Sequence, residues 1–75
     1  MVLRVDLKKT DHELSGEIAS RCSHLGVIRS VKIHRNPSPF ALIETASRIE
    51  TLEVAGEYGG SAFGSSALIH LEQEG

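Results

Sequence analysis

Pro39-Phe40-Ala41-Leu42-Ile43-Glu44-Thr45 is the stretch on which the reading of this chain turns. Phe40, Leu42 and Glu44 alternate with Ala41, Ile43 and Thr45, the period-2 pattern of a strand with two unlike faces. The small and β-branched side chains at 41, 43 and 45 suit a core. The other face opens on Phe40, one of three aromatic residues in 75. A ring there either packs beneath the chain's own loops or is left for something outside to cover.

Upstream, Asn36-Pro37-Ser38-Pro39 is turn chemistry, and so short a link implies an antiparallel hairpin with the preceding strand, residues 27–35. In that strand Val31 and Ile33 face one way, Lys32 and His34 the other. Before it, Thr10-Asp11-His12-Glu13 reads as a capping box. The helix it starts carries Leu14, Ile18, Cys22 and Leu25 as an apolar stripe opposite Glu13, Glu17 and Arg21, with Gly26 placed for a left-handed cap. Residues 1–7 form the first strand, with Leu3, Val5 and Leu7 on one face and Arg4 and Asp6 on the other.

Downstream, Ser47 and Glu50 repeat the capping pattern. The second helix is expected to bury Ile49, Leu52 and Ala55 or Gly56, and to stop at Gly56, Gly59 and Gly60. Residues 61–66 read as a loop or short extended piece with Phe63 on the core edge. The last strand, 67–72, sets Ala67, Ile69 and Leu71 against Leu68, His70 and Glu72, and residues 73–75 should fray.

Strand, helix, strand, strand, helix, strand in one domain over 1–75 predicts an α+β fold. The specific expectation is a ferredoxin-like split βαβ arrangement, a four-stranded antiparallel sheet with both helices on one face. The other face then collects Arg4, Asp6, Lys32, His34, Phe40, Leu42, Glu44, Leu68, His70 and Glu72.

Composition narrows the function. A single cysteine, Cys22, precludes an internal disulfide and suits a reducing, intracellular compartment; on the apolar side of a helix it reads as a buried, inert thiol. No apolar run is long enough to span a bilayer, so no membrane partner is expected. The formal charge is −2, but unevenly placed: residues 1–35 carry seven bases and four acids, residues 36–75 one base and six acids. An enzyme is not expected. There is no phosphate-cradling glycine loop and no C-x-x-C pair, and the four histidines fall on a helix start, a helix end and opposite sheet edges, without converging on a metal or cofactor.

Residues 38–45 resemble the longer motif of the RNA recognition motif family, K/R-G-F/Y-G/A-F-V-x-F/Y. Phe40 and Ala41 match, Ile43 is a conservative stand-in, and Glu44 falls at the free position. Residues 25–33 are similar to the family's passage from first helix to second strand, and 64–69 to its approach to the last. The resemblance implies the strand order fourth, first, third, second, with Arg4 beside Phe40 at the centre. Three positions depart from it: Arg4 stands where the first strand usually offers a ring, Leu42 replaces the second stacking aromatic, and Ser38 replaces the opening basic residue.

What the resemblance implies is single-stranded RNA, or single-stranded DNA, held on the sheet. Phe40 would stack a base, Arg4 stack or pair with phosphate, and Leu42 lie beside them; Lys32, His34 and Arg35 would track the backbone, with His70 at the margin. Each stacked base is worth about 1–3 kcal/mol, so keeping one ring implies weak binding. The alternative is a protein-interaction or homodimer module using an apolar strip of Phe40, Leu42 and Leu68.

Overall fold

The computed structural model describes residues 2–75. It is an α+β fold of two helices and a mixed sheet of five strands. In chain order the elements are β1 (Leu3–Val5), α1 (Asp11–Cys22), β2 (Ile28–His34), β3 (Phe40–Thr45), α2 (Arg48–Tyr58), β4 (Ser61–Phe63) and β5 (Ser66–Gln73).

The local chemistry of the first helix is as the sequence predicts. The Thr10 hydroxyl accepts from the Glu13 amide at 3.2 Å while the Glu13 carboxylate accepts from the Thr10 amide at 3.0 Å, closing the capping box. Leu14, Ile18 and Cys22 are buried. The end differs: α1 stops at Cys22 with Ser23 still right-handed, and Leu25 N–H bonds back to the Cys22 carbonyl, so Gly26 is not the helix cap.

β3 is built as its alternation requires. Ala41, Ile43 and Thr45 are buried, and Ala41 and Ile43 pack with Leu3, Val5, Ala67, Ile69, Leu71 and the inner faces of both helices in one cluster. β2 pairs antiparallel with β3, with Val31 opposite Ile43 and His34 opposite Phe40.

The strand order departs from the expected split βαβ arrangement. It runs β1-β5-β3-β2, so β5, and not β1, lies against β3, and β1 is an edge strand paired parallel to β5. The physical cause is the hairpin at Gly64. After α2 the chain forms β4, which turns through Gly64-Ser65 into β5. Gly64 has φ +60° and Ser65 does not share the positive φ, the pattern of a II′ turn, whose twist suits a two-residue hairpin. The reversal sends β5 antiparallel to β3 along five paired residues, a longer ladder than the three-residue β1 can offer. Gly60 permits the approach of β4, since a Cβ there would run into the Leu68 carbonyl oxygen.

The second helix buries Ala55 as expected but turns the rest of its expected face outward. Thr51, Val54 and Ala55 are buried, whereas Ile49 and Leu52 are 74% and 50% exposed. The buried set, with Tyr58 against it, follows the i, i+3, i+4, i+7 spacing of a core stripe that begins with a threonine. That threonine is accommodated because its hydroxyl meets the Thr45 hydroxyl at 2.6 Å. Ser47 caps the helix by accepting from Glu50 N–H, but the Glu50 carboxylate turns to the Val27 amide at 2.8 Å instead of completing a box.

Candidate nucleic-acid interface

With both helices on one side, the alternate residues of β2, β3 and β5 form an uncovered face in cross-strand rows. The first row is His34, Phe40 and His70, on β2, β3 and β5 in turn. The His34 and Phe40 rings stack, centroids 4.7 Å apart and planes 8° from parallel. The second row is Lys32, Leu42 and Leu68, and the third Ser30, Glu44 and Ser66. Between the second and third rows lies a depression of about 170 Å³ lined by Ser30, Lys32, Leu42, Glu44 and Ser66.

Five of the seven residues singled out in the sequence therefore share this surface: Phe40, Leu42, Lys32, His34 and His70. His34 and His70 do not lie on opposite sheet edges; β5 sits next to β3, so the two histidines flank Phe40. Arg4 is on the outermost strand, one strand removed from Phe40, opposite Glu72 in register and 3.6 Å from its carboxylate. It is not at the centre of the sheet, though its strand lies against β5, where His70 is two residues from Glu72.

Arg35 has left the face altogether. Its guanidinium donates to Asp11 at 2.9 Å and to the Leu7 and Lys9 carbonyls at 2.6 and 2.9 Å, tying the loop before α1 to the end of β2. Lys9 is likewise occupied, at 2.8 Å from Glu17, and that carboxylate raises the ammonium's pKa. Lys32 makes no ion pair or side-chain hydrogen bond among the described residues.

Phe63 is not on the core edge. It pairs with Ser66 in register, stands on the opposite side of β4 from the packed Ala62, and is 62% exposed. It belongs to the same uncovered face as Phe40, roughly 13 Å further along β5 by strand rise. The signal that would have found it is Gly64-Ser65, a two-residue hairpin dipeptide that makes 61–63 a strand with its own alternation.

Cys22 is buried, and that burial pushes its thiol pKa up. Among the described residues no three His, Cys, Asp or Glu side chains gather as metal ligands, and no helix is long and apolar enough to cross a membrane.

Comparison with protein-family models, with curated proteins and with solved structures returns no match.

Proposed function

We propose that the uncovered sheet face binds single-stranded RNA, as the likeness of residues 38–45 to the RNA recognition motif implies. The observation that carries the reading is Phe40: its ring lies on the side away from both helices, in a row of three aromatic rings with His34 and His70. Unpaired bases stack on such rings whatever their identity.

The charge on this face sets the strength. Lys32 is an uncommitted cation, Arg4 is engaged by Glu72, and Glu44 opposes phosphate. Affinity should therefore be weak and only mildly salt-dependent, with a slope of log K on log salt near −0.7 for each phosphate neutralised and one or two such contacts.

The test is an amide-shift titration with pools of short single-stranded RNA at low and moderate salt. Shifts centred on β2, β3 and β5 that weaken as salt rises support the reading. An unchanged spectrum at saturating RNA overturns it.

A second reading is favoured by one observation: Leu42 and Leu68 are direct cross-strand neighbours, with exposed Phe63 at the end of the same face. Such a strip suits a protein partner or a second copy of the chain. Light scattering across a concentration series tests the dimer. A mass that stays monomeric throughout excludes it, and a Leu68→Lys variant should abolish any association that is seen.

A further inference from the structure

The depression between the second and third rows has a chemistry of its own, and we infer that it selects guanine among the bases laid across the sheet. This rests on the RNA-binding reading and adds to it the identity of one base.

The depression's volume of about 170 Å³ is below the roughly 300 Å³ at which pockets begin to enclose whole small ligands, so it suits the edge of one planar ring. Leu42 gives that ring an apolar wall. Lys32 and Glu44 stand on adjacent strands as diagonal neighbours, about 7–8 Å apart at the backbone. The Ser30 hydroxyl donates to Glu44 Oε1 at 3.3 Å and steadies the carboxylate without using up its acceptor capacity. Ser66 closes the far side.

An ionised carboxylate only accepts and an ammonium only donates. Guanine's pairing edge answers both at once: N1–H and the N2 amine donate side by side, and O6 accepts. A carboxylate takes the two donors as a bidentate pair while Lys32 donates to O6. Cytosine offers Glu44 a single amine and leaves its ring N3 and O2 for Lys32, one bond fewer to the carboxylate. Uracil offers one N–H between two acceptors. Adenine offers one amine and one ring acceptor. The expected order is guanine first, cytosine and uracil behind it, adenine last.

The experiment compares fluorescence anisotropy titrations of a uridine nonamer with nonamers carrying a central guanine, cytosine or adenine, for the wild type and for Glu44→Gln. Glu44 is exposed, so the variant should fold, and its far-UV circular dichroism checks that it does. The wild type should bind the guanine oligonucleotide about five-fold to a hundred-fold tighter than the uridine nonamer, the range of a bidentate base contact. Glu44→Gln should lose that preference while its affinity for the uridine nonamer holds or rises, since a negative charge has gone from the face. A mere structural role for Glu44 would weaken all four oligonucleotides alike. Equal wild-type affinity for all four, or a preference that survives Glu44→Gln, overturns the guanine assignment and leaves RNA binding standing. Absence of binding to any of the four overturns both.

Discussion

The imidazole of His34 lies flat against the phenyl ring of Phe40, 4.7 Å from centroid to centroid across the β2–β3 pair. Both rings are on the helix-free side, so the stack closes no core and prepares a surface. An aromatic pair of this kind contributes about 0.5–1.5 kcal/mol beyond its buried area. Replacing His34 by alanine should cost no more than that in stability while freeing the Phe40 ring to turn. RNA affinity should then fall, but by less than on loss of Phe40 itself; a variant with full RNA affinity would show that the stack has no part in binding.

Phe40→Ala and Ile43→Ala separate the two faces of the same strand. Ile43 is fully buried, and its truncation should cost about 2–5 kcal/mol in chemical denaturation. Phe40→Ala should cost distinctly less, yet lower RNA affinity by about five-fold or more through loss of one stacked base. Equal destabilisation by the two substitutions would mean that the ring belongs to the interior.

Thr45 and Thr51 form a polar pair inside the core, with a defined direction. The Thr45 hydroxyl donates to the Ser47 carbonyl at 2.7 Å, so the 2.6 Å contact between the threonines has Thr51 as donor. Thr51→Val removes one bond and should cost about 1 kcal/mol. Thr45→Val strands the Thr51 hydroxyl and should cost more, about 1–3 kcal/mol. In a double-mutant cycle, followed by urea unfolding, the double variant should lose less than the sum of the two singles.

Cys22 should resist modification in the folded protein. It is fully buried and its thiol is pushed up by burial, so little thiolate is present at neutral pH. Treatment with a disulfide reagent should give no release until denaturant is added. Rapid release from native protein would require an opening of the α1–α2 interior that the packed structure does not show.

Acid should weaken the loop and cap contacts. Glu13 is held below its ordinary pKa by the Thr10 amide and hydroxyl, Glu50 by the Val27 amide and then the Ser47 hydroxyl, and Asp6 by the Lys8 amide and then the Gln73 side chain. Each is a carboxylate with a depressed folded value. Its contribution is present above the unfolded value, roughly pH 4, and is lost as pH falls through the lower folded value. Melting temperature should therefore decline with acid below about pH 4, and Glu13→Gln together with Glu50→Gln should flatten that decline. An identical acid profile in the double variant would remove these two groups from the account.

Much of the architecture is legible in short stretches. The capping box at Thr10 and Glu13, the alternation of residues 40–45, the buried helix stripe Leu14, Ile18 and Cys22, and the outward direction of Phe40 all follow from contacts within a turn or from the period of a strand. Such features depend on neighbours a few residues away, and a sequence displays those neighbours directly. Which strand lies beside β3, which side of α2 faces inward, and whether His34 and His70 meet at Phe40 depend on partners brought together from far along the chain. The three-residue β1 offers a shorter ladder to β3 than β5 does, and the Gly64-Ser65 turn sets β5 antiparallel to β3. Ile49 and Leu52 lost the interior to a stripe whose leading threonine finds its hydrogen-bond partner only once Thr45 is in place. Long-range pairing chose among faces that local patterning left equivalent, and with that choice it assembled the row of rings, moved Arg4 to the edge and turned Arg35 away from the sheet face.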